Sequence, residues 1–319
     1  MTTSKKVRSK ITQTNSIDKL PDVLQEASNN FNLGRIIDFK RVVGNINKNY
    51  SITTEDGSHY IFKIIVKHSL EDLKTESMYL NKLREYDFPA AYYVEDIHGS
   101  QIFQYNNSVV MAQLKLMGTP PPFSTEICIS IGQNIAKLHR IPKLGLPKRN
   151  HWLKKPFLSN QVSLIQSSLP DKAQKFLEAF DSIADFKYSK LPKTIVHGDL
   201  YANNCLYHEN SLIAFLDWEE VGIAPAILDL ATCVFNFCFE NDIFHPKQYE
   251  AMVDGYQRYR SLNDLEKKSI NLALKYVALN LCAWRVAKFG ISNPDPIIVK
   301  KSEIYWNIGL DKLQLPNIQ

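Results

Sequence analysis

The sequence has no stretch near the about 18 consecutive apolar residues that a membrane-spanning helix requires. Its most apolar window, Tyr276 to Trp284, already contains Asn280. A bilayer-spanning protein is therefore not expected. Cysteine is sparse: Cys128, Cys205, Cys233, Cys238 and Cys282 are scattered, and no two form a C-x-x-C pair. Neither a disulfide framework nor a thiolate zinc site is indicated. Charge of one sign is also scarce, because most of the net +5 comes from Lys5, Lys6, Arg8 and Lys10 in a first decad without an acid. The nearly neutral remainder lacks the clustered basic field that a nucleic-acid surface needs. The run from Ile11 to Ser16 is polar where a secretory signal needs an apolar core, so a cytoplasmic location is expected. With 12 Gly and 15 Pro in 319 residues, and 45% hydrophobic residues, the chain is neither collagenous nor low-complexity. At roughly 150 residues per domain, it suggests two lobes.

What is present divides by element type. From Arg35 to Leu114 the chain reads as β-branched and aromatic runs: Arg35 to Val43, Tyr50 to Thr54, Tyr60 to Val66, Ala91 to Glu95, Gln101 to Tyr105 and Val109 to Leu114. Turn signals at Glu55-Asp56-Gly57, His98-Gly99 and Asn106-Asn107 punctuate them, which predicts an antiparallel hairpin sheet. One helix interrupts it, capped by Ser69 and carrying Leu73, Glu76, Leu80 and Leu83 at helical spacing. Gly118-Thr119-Pro120-Pro121-Pro122 breaks the pattern like a hinge. Beyond it helical periodicity dominates, with runs near Ser124 to His139, Pro170 to Phe180, Ala226 to Phe239, Pro246 to Tyr259, Asp264 to Phe289 and Val299 to Leu310. Two short strands remain, Thr194 to Val196 and Leu212 to Leu216. The expected organisation is a basic flexible tail over 1–16, a sheet-rich N-terminal lobe over 17–117 and a helical lobe over 118–319. The fold class is α+β, with a ligand site where the lobes join.

The chemistry is concentrated beside those two strands. Ile195-Val196-His197-Gly198-Asp199 delivers Asp199 to a loop, Asn204 follows five residues on, and Phe215-Leu216-Asp217 ends a second apolar strand. One carboxylate to take a hydroxyl proton, with a carboxylate and an amide oxygen to hold Mg²⁺, is the set that phosphoryl transfer needs. A single aspartate in a loop is more often a turn former, so the spacing carries the argument. Upstream, Val43 to Tyr50 with Gly44 and Asn47 is a strand-turn-strand able to offer backbone N–H groups to phosphates, or a plain hairpin turn. Lys63, within Tyr60-Ile61-Phe62-Lys63-Ile64-Ile65, is a cation in an apolar strand, costly to bury unless an anion meets it. His197 reads as a brace for the loop rather than a base.

The segment His197-Gly198-Asp199-Leu200 with Asn204, then Asp217, resembles the catalytic loop and metal-binding aspartate of the aminoglycoside phosphotransferase and choline kinase superfamily. That resemblance implies a bilobal protein-kinase-like fold, with a small N-terminal antiparallel β lobe and a larger, mainly helical C-terminal lobe. It also implies ATP and Mg²⁺ as cofactors, Asp199 as catalytic base, and Asn204 and Asp217 as metal ligands. Gly44, Asn47 and Lys63 would bind the nucleotide's phosphates, Glu76 would pair with Lys63, and Asp229 in Leu228-Asp229-Leu230-Ala231 would brace the loop. Within the superfamily the chain looks most like type II homoserine kinases, through Leu33-Gly34, the Gly44/Asn47 turn, Leu216 to Glu220 and Ala283-Trp284-Arg285. A homoserine-like acceptor carries an ammonium and a carboxylate, which Glu219 or Glu220 and Arg285 could meet. Choline, a sugar, an aminoglycoside or a protein Ser/Thr remain alternative acceptors; Trp284, Tyr305 and Trp306 keep an aromatic cage for choline open. A non-catalytic, nucleotide-binding scaffold is the remaining alternative.

Overall fold

In the computed structural model of the chain, residues 21–42, 47–148, 155–240 and 243–292 are described. The basic segment 1–16, Gly44, the helical run at 299–310, Tyr305 and Trp306 lie outside them. The chain forms two compact units, one within Met1–Lys67 and Val94–Ala112, the other within His68–Tyr93 and Gln113–Gln319.

The first unit opens with helix α1 (Asp22–Asn30), followed by strands β1 (Ile36–Val42), β2 (Lys48–Thr54) and β3 (His59–Ile64); β4 (Phe103–Tyr105) and β5 (Ser108–Leu114) come later in the chain. They make one five-stranded sheet in the order β1-β2-β3-β5-β4. The β2–β3 hairpin turns where Asp56 and Gly57 were expected to turn it. Gly57 takes a left-handed φ of +82°, and Asp56 Oδ1 accepts both the Ser58 N–H at 3.0 Å and the Thr54 hydroxyl at 2.7 Å. Alternation along the strands sends Ile52, Phe62, Val110 and Ala112 to one face, where Leu24, Ala27 and Phe31 of α1 and its C-terminal end cover them. Each fully buried Leu, Ile, Val or Phe among them contributes roughly 1.5–3 kcal/mol relative to exposure. The Ala91 to Glu95 run does not become a strand. Its backbone makes isolated bridges instead, and Ala91 donates to Phe215 O at 3.0 Å while Tyr93 faces Gln113. With its partners split between two elements, no ladder extends.

The second unit contains α2 (Leu70–Arg84), which starts in a capping box. Ser69 Oγ accepts the Asp72 N–H at 3.1 Å and Asp72 accepts the Ser69 N–H at 3.2 Å. Helix α3 (Thr125–Leu138) is capped by Ser124, and α4 (Lys155–Ser168) and α5 (Pro170–Asp181) follow. Then come β6 (Lys193–Val196), β7 (Cys205–His208), β8 (Ser211–Phe215) and β9 (Gly222–Pro225), with β6 antiparallel to β9 and β7 antiparallel to β8. Helix α6 (Ala226–Phe237) is apolar on nearly every side and buried accordingly. A two-residue pair, β10 (Phe239–Glu240) with β11 (Ile243–Phe244), leads to α7 (Pro246–Gln257) and α8 (Asp264–Val286). Thr119, in the segment that reads as a hinge, exchanges backbone hydrogen bonds with Tyr207 at 2.9 and 2.8 Å, which ties it to β7. Among the described residues, no helix is long and apolar enough to cross a membrane. All five cysteines are free and buried.

Candidate active site

Strand β6 carries buried Ile195 and Val196 into the loop that holds Asp199. Gly198 makes the turn with φ +85°, a conformation that costs other residues a steric clash. The loop's backbone is held from below by the fully buried Asp229 of α6: its Oδ2 accepts the His197 N–H at 3.0 Å and its Oδ1 the Gly198 N–H at 2.9 Å. Burial alone would raise the Asp229 pKa, but the hydrogen bonds donated by His139 and by the Gly198 N–H hold it below the ordinary range. His197 is itself a brace. Its Nε2 donates to Leu216 O at 2.9 Å, its Nδ1 accepts the Asp199 N–H at 3.3 Å, and its ring lies 4.5 Å from that of Trp218. Burial depresses its pKa, so the ring is neutral and both nitrogens are spent. Asn236 of α6 adds a bond to Leu200 O at 3.1 Å.

Asn204 closes a short 3₁₀ turn, Ala202–Asn204, just before β7. It is buried, its Nδ2 donates to the Asp199 carbonyl at 2.8 Å, and its own carbonyl accepts the Leu216 N–H at 2.9 Å. Leu216 is thus tied at both its N–H and its C=O. Immediately after it, Asp217 is held at φ 60°, ψ 69°, a left-handed conformation whose strain a rigid surround must support. Burial first, then the charges of Asp217 and Glu219, raise the Asp199 pKa to about 6, with Arg285 acting in the opposite direction. Asp199, Asp217, Glu219 and Arg285 therefore share one electrostatic neighbourhood. Glu219 Oε2 lies 3.3 Å from His68 Nε2, and Glu220 is half-buried in the same short turn.

Glu76 is buried on α2, where its Oε1 accepts the Tyr93 hydroxyl at 2.7 Å. Burial, then the charges of Glu76, Asp217 and Glu219, push the Tyr93 pKa well up. Tyr93, His68 and Tyr201, whose pKa burial and the Asp199 charge raise, were not singled out from sequence. Only Tyr201, two residues after Asp199, stood within a visible motif. In the first unit Lys63 is half-buried between Phe62 and Ile64, in register with Asn49. Asn47 Oδ1 accepts the Val66 N–H at 3.2 Å, which commits that side chain to the turn.

Hard oxygens fit a divalent cation here. Asn204 spends its amide N–H₂ on the loop, and no hydrogen bond among the described residues engages its Oδ1. Asp217 offers a carboxylate at the neighbouring strand end. Among the described residues, no three His, Cys, Asp or Glu side chains gather into a cage. Two protein oxygens completed by phosphate and water suit Mg²⁺ better than an all-protein site does.

The pattern that defines the phosphotransferase enzyme family (APH) matches residues 39–265. The chain belongs to that family and is a phosphotransferase of the small-molecule kinase class. It is similar to the homoserine kinase of Methylobacillus glycogenes, with 24% identity over 302 residues, 89% of this chain and 90% of that one. In fold it is similar to amicoumacin kinase hAmiN, solved in complex with AMP-PNP, Ca²⁺ and Ami: TM-score 0.74, 18% identity, 93% of this chain and 95% of that one. Choline kinase from Cryptosporidium parvum Iowa II matches with a TM-score of 0.60 and 19% identity over 87% of this chain and 88% of that one. The expected α+β architecture, an N-terminal antiparallel sheet followed by a mainly helical region, is the kinase-like fold of these structures.

Proposed function

We propose that the protein transfers the γ-phosphoryl group of ATP, with Mg²⁺, to the hydroxyl of a small amino-acid alcohol, L-homoserine foremost. The observation that carries the acceptor class is the pairing of opposite charges around Asp199: Glu219 raises its pKa and Arg285 lowers it. A zwitterionic acceptor meets both signs, its carboxylate on the Arg285 guanidinium and its ammonium on Glu219, with Glu220 in the same turn. The relatives named homoserine kinase support the kinase class and are the reason L-homoserine is put first among the acceptors, and the AMP-PNP and Ca²⁺ of the amicoumacin kinase structure support a nucleotide with a divalent cation.

In this reading Asp199 accepts the proton of the acceptor hydroxyl, and its elevated pKa makes it a better base than an exposed carboxylate. Asn204 and Asp217 hold Mg²⁺, which when bound neutralises charge on the phosphate oxygens. Lys63, with Gly44 and Asn47, would serve the nucleotide's phosphates, and Glu76 is the acid the family resemblance assigns to the same function. Asp229 and His197 keep the Asp199 backbone fixed so that little rearrangement accompanies transfer. A choline cage draws less support, because Lys288 Nζ already covers the Trp284 ring at 4.6 Å and Arg285 repels a cation.

Arg285→Met and Glu219→Gln test the acceptor. Each should raise KM for L-homoserine by roughly tenfold or more, while KM for ATP stays within about twofold. Phosphorylation of choline or an aminoglycoside by the unaltered enzyme, with none of homoserine, overturns the acceptor. Mg-ATP binding with no transfer to any acceptor overturns catalysis and leaves a scaffold.

A further inference from the structure

Asp229 does not stand alone beneath the loop. Besides the His197 and Gly198 amides, its Oδ2 lies 3.1 Å from His139 Nε2, at the C-terminal end of α3. Both side chains are fully enclosed. On the other side of the same ring, His139 Nδ1 lies 2.7 Å from the Tyr256 hydroxyl of α7. Arg260 Nη1 donates to that hydroxyl at 2.9 Å, and Arg260 Nη2 donates to Glu266 Oε1 at 2.9 Å. Glu266 is buried and anchored in turn: its Oε2 accepts the Asn263 N–H at 3.1 Å and its own N–H donates to Asn263 Oδ1 at 2.9 Å, closing a capping box at the start of α8.

Both ends of this chain dictate the same direction for the bonds between them: the Asp229 carboxylate at one end can only accept. A guanidinium only donates, so the Tyr256 oxygen must accept from Arg260 and its single proton must go to His139 Nδ1. Burial keeps the His139 ring neutral, with one ring proton to place. With Nδ1 accepting, that proton lies on Nε2, where it meets the Asp229 carboxylate. We propose that Tyr256 and Arg260 are positioning residues for the Asp199 loop, acting by fixing the proton of His139 on Nε2 so that Asp229 stays aligned under the His197 and Gly198 amides.

The helix crossing is built for this contact. A Cβ on Gly132 of α3 would lie 2.1 Å from the Met252 carbonyl oxygen, and one on Gly255 would lie 2.4 Å from the Ile129 carbonyl oxygen. Only paired glycines let α3 and α7 approach so closely, and Tyr256 follows Gly255 directly. Neither Tyr256 nor Arg260 has any role in the chemistry proposed above.

Tyr256→Phe keeps the ring and removes the hydroxyl. The expected results are a shift of the His139 nitrogen resonances away from the pure Nε2–H pattern, and faster hydrogen exchange at the His197 and Gly198 amides, by about tenfold, with the α3 and α6 core amides unchanged. In an assay with Mg-ATP and L-homoserine, kcat should fall about tenfold while KM for ATP stays within about twofold. Arg260→Lys, which retains a donor, should keep the wild-type tautomer and exchange rates; Arg260→Met should reproduce Tyr256→Phe and serves if that variant fails to fold. Only the kinetic arm rests on Asp199 as the base and homoserine as acceptor: normal kcat with altered tautomer and exchange would indict that reading. The proposal is overturned if Tyr256→Phe keeps the Nε2–H pattern and slow Gly198 exchange, or if exchange accelerates equally throughout α3 and α6.

Discussion

Asn204 donates from Nδ2 to the main-chain carbonyl of Asp199 at 2.8 Å, so the residue proposed to hold the metal also fixes the residue proposed to take the proton. Asn204→Ala removes both functions together. Turnover should fall by about 10²-fold and the Mg²⁺ needed for half-maximal rate should rise about tenfold. A magnesium titration of ADP release reads both, and an unchanged Mg²⁺ requirement removes Asn204 from the metal site.

The pH profile should carry the signature of Asp199. A base must be unprotonated to accept a proton, so kcat/KM should fall as pH drops through about 6. Arg285 holds the Asp199 pKa down, so Arg285→Gln should move that acidic limb to higher pH. A limb unaltered by Arg285→Gln shows that the limb belongs to another group.

Stability should move in the opposite direction to activity. The folded-state pKa of Asp199 is raised, so the folded protein binds this proton more tightly than the unfolded chain does. The benefit is complete below the unfolded pKa and is lost as pH rises through about 6, leaving a buried carboxylate that destabilises the fold at pH 8. Asp199→Asn should therefore be more stable than the unaltered protein at pH 8, by an amount on the order of 1–3 kcal/mol, with the gap closing below about pH 4. Urea melts at the two pH values check this, and an equal difference at both contradicts it.

The parts of the molecule legible in the sequence are those with local causes. Ser69 with Asp72, the Asp56-Gly57 turn and the alternation through Ile52 and Phe62 each specify their element from neighbouring residues, and the structure contains all three. The strand expected at Ala91 to Glu95 failed because its composition is strand-like while its partners, Phe215 and Gln113, lie on different elements. Strands β7 and β9 were missed since each is four residues long and defined by its pairing rather than by periodicity. The same limit applies at the site. His197 to Asp217 is a compact motif, whereas His139 meets Asp229 across 90 residues and Tyr93 meets Glu76 through a fold-dependent contact. No spacing rule announces such pairs.

The most direct test of the central claim is phosphorus NMR of purified protein with Mg-ATP and L-homoserine, run beside Asp199→Asn. The account predicts a new phosphomonoester resonance, formed in step with ADP, whose rate of formation drops by about 10²-fold or more in the variant. Equal rates in the two proteins would contradict the assignment of Asp199 as the base. ATP left intact with every hydroxyl acceptor tried would contradict the account as a whole.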